Sequence, residues 1–197
     1  MNPDSTAYSP SDDTFLLIDA IEGRGGRRAL EIGTGTGLLL SQLSRTHEWT
    51  VGTDVSLSAV KAAAARFRSD VGMKIDLVCC DAASAFRGRT FGLVVFNPPY
   101  LPSSSPEDLA VDGGPGGTEV TAQIFDEAAR VVTAQGSVVF VVSSLSDYPS
   151  MVTRVEREGF CVRTLGTRKL FFEQLFALEA TRNQRSRKST LPRSNII

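Results

Sequence analysis

The stretch Arg28-Ala29-Leu30-Glu31-Ile32-Gly33-Thr34-Gly35-Thr36-Gly37-Leu38-Leu39-Leu40-Ser41-Gln42-Leu43 decides how this chain folds. Arg28 to Ile32 reads as a short apolar strand, the three alternating glycines as a turn, and Leu38 to Leu43 as a helix. Glycines at such a place let the backbone turn sharply and lie against a ligand with no Cβ between. The helix start behind them offers free N–H groups to polar ligand atoms.

Working outward, the same alternation continues on both sides. Upstream, Phe15, Leu16, Leu17, Ile18 and Ile21 recur at helical spacing behind Ser11-Asp12-Asp13, which serve as a cap. Downstream, Trp49 to Thr53 is a strand stopped by Asp54. Ser56 caps a helix that runs through Ala62–Ala65 to about Arg68. Ile75 to Cys80 is a third strand, ending in Asp81, and Phe91 to Phe96 is a continuous apolar strand buried on both faces. A Pro/Gly/Ser-rich loop, Pro98 to Gly117, has the length of a lid or binding loop. Thr118 to Val132 is an amphipathic helix, Ser137 to Val142 a fifth strand, and Ser150 to Glu158 a helix closed by Gly159. Phe160 to Leu165 and Leu175 to Ala180 lack a helix between them, which predicts an antiparallel hairpin at the sheet edge. The pattern is α/β with a mostly parallel sheet.

Composition sets the limits. The chain has 197 residues, 42% hydrophobic, with 21 Lys+Arg against 22 Asp+Glu. That is one domain with an average globular composition. The expected boundaries are a domain over 1–181 and a basic, disordered tail over 182–197. Five basic and no acidic residues lie from Ala180 onward, which leaves the body at −6 (sixteen basic against 22 acidic). Such a body lacks the broad basic face of a nucleic-acid binder. The N-terminus has no signal-peptide pattern, no apolar run approaches a bilayer span, and three Cys form neither a disulfide framework nor a metal spacing. The expectation is a cytoplasmic protein with no membrane partner and no metal.

Two groups of residues carry chemistry. Glu31, Gly33, Gly35 and Gly37, with Asp54 about 20 residues on, suit a nucleoside-containing cofactor whose ribose hydroxyls a carboxylate accepts. NAD and S-adenosylmethionine (SAM) both fit that description. The spacing E-x-G-x-G-x-G departs from the dinucleotide fingerprint, and Asp81 adds a polar group for an adenine amino group, so SAM is favoured. Val55 and Ala82, beside the two acids, join the cofactor-binding candidates. A helix cap toward Ser84 is the alternative for Asp81. The second group is Asn97-Pro98-Pro99-Tyr100, directly after the buried fourth strand. A conjugated nitrogen is a poor nucleophile because its lone pair is delocalised. The Asn97 side-chain oxygen and the Pro98 carbonyl supply two acceptors for its N–H groups, which favours the positive charge of the alkylated nitrogen and aligns its lone pair. The prolines stiffen the turn, and Tyr100 offers a ring face. Asn97, Pro98 and Tyr100 are the catalytic candidates, and Asn97 also borders the cofactor.

From Tyr8 to Ala180 the chain resembles the HemK-related protein glutamine methyltransferases, in their short archaeal/eukaryotic form. Tyr8-Ser9-Pro10-Ser11-Asp12-Asp13-Thr14-Phe15, Glu31 to Gly37, Asp54, Asn97 to Tyr100, Asp112 to Glu119 and the R-x₄-E-x-L pattern within Arg168 to Leu178 carry the resemblance. It implies a Rossmann-like class I methyltransferase fold, seven-stranded, with a C-terminal antiparallel hairpin. It also implies SAM contacts from Thr14 and from the Glu31–Gly37 segment, and N5-methylation of the glutamine in the GGQ loop of a class 1 release factor. A small zinc-binding activator pairing with the edge strand Ile75 to Cys80 is implied as partner. Gly116 and Thr118 stand where the family carries an Asp and an Arg.

Alternatives keep the chemistry and change the acceptor, to adenine N6, guanine N2 or lysine, or reduce the chain to an idle SAM-binding subunit. Of the remaining residues, His47 reads as surface, Trp49 and Phe67 as packing, and Cys79 and Cys80 as pointing to opposite faces of a strand. Phe171 and Phe172 read as the hairpin's core, with a lip over the substrate as the alternative.

Overall fold

Leu30 and Ile32 face one way from their strand and Ala29 and Glu31 the other, and both sides are buried. That strand sits near the middle of a sheet with helices on both faces. A computed structural model of the protein describes residues 12–68, 72, 74–100, 113–114 and 116–183. In chain order the elements are α1 (Asp12–Ile21), β1 (Gly26–Ile32), α2 (Leu38–Leu43), β2 (His47–Asp54), α3 (Leu57–Arg66), β3 (Ile75–Cys79), β4 (Phe91–Phe96), α4 (Glu119–Val131), β5 (Val132–Ser143), α5 (Tyr148–Arg157), β6 (Phe160–Lys169) and β7 (Gln174–Arg182). The expected Ser11 cap, the Tyr8–Pro10 motif, Asp112, Pro115 and the tail from 184 onward lie outside the described residues.

The seven strands run in the order β3-β2-β1-β4-β5-β7-β6. β1 pairs in parallel with both β2 and β4, and β4 with β5, while β7 inserts antiparallel between β5 and the edge strand β6. The predicted parallel sheet and hairpin are thus observed. β3 is the other edge, paired only with β2 among the described residues. One apolar layer joins Leu30, Phe96, Phe140 and Leu178 to Phe125 and Ala128 of α4 and Met151 and Val155 of α5. The second layer joins Ala29, Val95 and Val139 to Leu16 and Leu17 of α1 and Leu39 and Leu43 of α2.

Four expectations are corrected. His47 is the first residue of β2 and is only 9% exposed, its Nδ1 lying 3.1 Å from the Leu43 carbonyl. It is buried because the chain turns directly from α2 into β2 there. Phe171 and Phe172 are not the hairpin's core: they stand at its tip, 91% and 84% exposed, while Leu175, Ala177 and Leu178 supply the buried face. The fifth strand begins at Val132, directly after α4, rather than at Ser137. Gly136 permits this early pairing, because a Cβ there would meet the Gly92 carbonyl oxygen at 2.5 Å. The last strand continues through Arg182, whose guanidinium lies 4.6 Å from the Phe160 ring centre and donates to the Ala129 carbonyl.

Candidate active site

Parallel register brings the singled-out residues to one end of the sheet. Ile32 pairs with Thr53 on one side and with Phe96 on the other. Gly33, Asp54 and Asn97 therefore leave three adjacent strands at the same level. β1 is also where the connections change direction, since the chain winds outward to β3 and then crosses back to β4. Crevices outside the carboxyl ends of strands at such a point are where open α/β sheets bind ligands.

The glycine loop is built as its sequence demands. Gly33, Gly35 and Gly37 all adopt positive φ (74°, 51° and 76°), a region costly for residues with a Cβ. A Cβ on Gly33 or Gly35 would meet nothing within 4 Å, so these two border open space. At Gly37 it would come within 2.9 Å of the Phe67 ring and 3.3 Å of the Ala63 Cβ. That third glycine is needed for close packing of the loop against α3. The Gly33 and Thr34 amides both donate to the Thr53 carbonyl at 2.8 Å, tying the loop to the end of β2.

Two carboxylates frame this loop. Glu31 is 5% exposed and accepts from the Thr34 hydroxyl at 2.7 Å. Burial pushes its pKa up to about 8, the Thr34 bond opposing the shift. Asp54 accepts from the Gly35 amide at 3.0 Å through one oxygen and from the Ser56 amide at 2.9 Å through the other. Each oxygen keeps a further lone pair for a ligand hydroxyl. Ser56 accepts from the Ala59 amide as the expected cap of α3.

Asn97 opens the turn after β4, and its Oδ1 is buried with no hydrogen-bond partner. Buried acceptors are nearly always satisfied, so this oxygen has the character of one held for a ligand donor. Pro98 is buried behind it. The Tyr100 hydroxyl donates to Asp13 Oδ2 at 2.9 Å, and its ring packs against the α1 layer. Asp13 is 1% exposed, and its other oxygen accepts from the Thr14 amide at 2.6 Å and the Thr14 hydroxyl at 3.3 Å. Thr14 is thus tied to the Tyr100 turn by a carboxylate that sequence reading took only for a cap. The signal was present in the pairing of Asp13 with Thr14, but its partner lies 87 residues away.

The remaining candidates are more peripheral. Val55 is 73% exposed. Asp81 begins a tight turn closed by the Ser84 amide donating to the Asp81 carbonyl; no helix follows, so the cap alternative is set aside. Ala82 holds a φ of 41°, unusual for a residue with a Cβ. Ahead of α4, Glu119 accepts from the Gly116 amide at 3.0 Å and the Thr118 amide at 3.1 Å. Gly52 was overlooked: a Cβ there would press on Leu40, Thr34 and Leu77 at 2.7–3.0 Å, and a glycine inside a strand was the readable sign of such an approach. Among the described residues no group of three His, Cys, Asp or Glu is arranged to hold a metal ion.

Strand order, glycine loop and the turn after β4 together define a Rossmann-like methyltransferase fold. The chain belongs to the methyltransferase small domain family, whose model matches residues 10–164. It is 30% identical over 182 residues to a Methanocaldococcus jannaschii protein named as a protein N5-glutamine methyltransferase, covering 89% of this chain and 91% of that one. To the human methyltransferase HEMK2 it is 26% identical, with 91% of each chain covered. A chain of the E. cuniculi Mtq2–Trm112 complex, described as responsible for methylation of the eRF1 translation termination factor, superposes with a TM-score of 0.75 at 29% identity. That match covers 89% of this chain and 98% of the other.

Proposed function

We propose that this protein transfers a methyl group from SAM to the side-chain nitrogen of a protein glutamine, in the GGQ loop of a class 1 release factor. The observation that carries the reading is the buried, partnerless Asn97 oxygen beside the glycine loop. The cradle fits SAM: Gly33 and Gly35 leave room for its methionine part, Glu31 borders the loop, and Asp54 keeps lone pairs for ribose hydroxyls, with Thr14 tied to the Tyr100 turn through Asp13. Val55, Asp81 and Ala82 follow as candidates for the adenine end. Bound there, SAM supplies an electrophilic methyl group on a sulfonium centre.

Everything else falls to the chain. A glutamine amide holds its lone pair in conjugation with the carbonyl. Asn97 Oδ1 and the Pro98 carbonyl accept its two N–H groups and favour the form in which the nitrogen carries charge. They also fix the nitrogen's orientation, which removes much of the entropic barrier. No strong base is needed, because the proton is lost once the nitrogen is alkylated and acidic. The named relatives support glutamine as acceptor and a release factor as substrate. A small activator subunit, zinc-binding in the resembling family, belongs to the same reading. It is supported by the half-exposed edge strand β3, which a partner strand would cover.

Mass spectrometry of a co-expressed class 1 release factor tests the proposal. The expected result is a gain of one CH₂ on the GGQ peptide that is absent with Asn97→Ala. An unmodified glutamine, with methyl transfer instead to RNA, DNA or lysine, overturns it.

A further inference from the structure

The exposed large apolar side chains among the described residues are Phe15, Val55, Leu57, Leu145, Phe171 and Phe172. All lie at the carboxyl end of the sheet. Phe15 is in the first turn of α1, whose neighbouring Asp13 meets Tyr100. Val55 and Leu57 follow β2 on the half that carries Asp54 and the glycine loop. Leu145, Phe171 and Phe172 stand on the other half, beyond β4 and Asn97.

The backbone around the second group is tied by hydrogen bonds. The Ser144 amide donates to the Gln174 carbonyl at 2.8 Å and the Gln174 amide to the Ser144 hydroxyl at 2.9 Å, which sets Leu145 beside the hairpin. The Leu170 amide closes the turn onto the Glu173 carbonyl, and the Ser143 hydroxyl donates to the Glu173 carboxylate at 2.6 Å. Arg168 ties the same hairpin to α1 through Asp12 and Asp19. The two rings at the tip touch edge to face, 4.5 Å between centres and 82° between planes. At 91% and 84% exposure they support no part of the core. A pair of bare aromatic rings on a turn tied at its base is the composition of a binding anchor.

We infer that the Phe171–Phe172 tip is the docking point for an apolar surface patch of a folded protein substrate, next to the loop that offers its glutamine. This rests on the reading under Proposed function. Two strand spacings separate β4 from β7, about 10 Å, so a glutamine held at Asn97 does not reach the tip. What meets the rings is the substrate's surface around that residue. A protein suits the surroundings better than a nucleic acid. The body's balance of −6 repels phosphates.

The test is steady-state kinetics of the Phe171→Ser/Phe172→Ser double variant with two substrates, an intact class 1 release factor and a short peptide spanning its GGQ. The expected result is a KM for the intact factor raised about tenfold or more, with kcat, peptide kinetics and SAM affinity within about twofold. Because both side chains are exposed, the thermal midpoint stays unchanged, and Phe171→Leu/Phe172→Leu restores most of the KM. An unchanged KM for the intact factor overturns the docking role alone, as does equal damage to the peptide reaction. A wild-type enzyme that methylates neither protein substrate but does methylate an RNA strand overturns both this inference and the reading beneath it.

Discussion

In the proposed reaction Asn97 concentrates the chemistry, because it combines two properties that oppose each other in a folded protein. Its oxygen is buried, which strengthens any hydrogen bond it makes, yet it is left without a partner, which costs stability. Asn97→Ala removes the acceptor and the penalty together. The expected outcome is a kcat lower by about a hundredfold or more, a SAM dissociation constant within about twofold, and unimpaired folding. Single-turnover transfer and titration calorimetry read the two quantities separately. Asp54 divides the other way. It accepts from the Gly35 and Ser56 amides and, in the proposed reading, keeps lone pairs for the cofactor, so the expected effect of Asp54→Ala is SAM binding weaker by about 1.5–3 kcal/mol. Equal loss of kcat and affinity in both variants would contradict this division between acceptor and cradle.

At the scale of elements, α1 is the piece whose placement depends on distant partners. Its start is fixed by Asp13 to Tyr100, its flank by Asp12 and Asp19 to Arg168, and the segment after it by Arg24 to Glu179. Tyr100→Phe removes the first of these while keeping the ring. The expected effect is about 1 kcal/mol, read as roughly fivefold faster amide exchange across the first turns of α1, with weaker SAM binding and no change in β6 or β7. Exchange that stays at the wild-type rate would mean that ring packing alone holds the helix. This dependence also explains what was legible in the sequence. Leu38–Leu43 and Phe91–Phe96 match their expected bounds because glycine turns and continuous apolar runs are local signals. Glu31, the glycine loop, Asp54 and Asn97 were read together because each lies at or just past the carboxyl end of a strand. His47, the early start of β5 and the bare Phe171–Phe172 tip were not legible. Their environments are set by α2, by Gly92 and by Ser144, contacts that no local pattern encodes. Asp13 and Gly52 show the same thing at the site itself: one needed Tyr100, the other Leu40 and Leu77, to acquire its meaning.

Across the whole molecule, the shifted groups Glu31, His47 and Glu179 give stability a pH dependence whose sign can be worked out. Glu31 has a raised pKa, so folding favours its protonated form. Its contribution is present in full below the ordinary value of 4.5 and is lost as pH climbs toward about 8. The slope is on the order of 1.4 kcal/mol per pH unit while only the folded state holds the proton. His47 works in the opposite sense. Burial lowers its pKa against the pull of the Leu43 carbonyl, so its neutral form is favoured and stability falls as pH drops below 6.5. Glu179 is also lowered: burial alone would raise it, but hydrogen bonds from Arg24 and Arg163 prevail, so its contribution is present above 4.5 and lost in more acidic solution. Between pH 5 and 8 Glu31 has the largest shift and sets the direction. The protein without cofactor therefore loses stability over that range. Glu31→Gln keeps an acceptor for Thr34 without a titrating proton, so its profile becomes flat or rises slightly as His47 takes over. Urea unfolding midpoints at constant ionic strength test this. Parallel profiles for the two proteins would mean that Glu31 is already ionised at pH 5 in the folded chain, and that the end of β1 is better solvated than its burial implies.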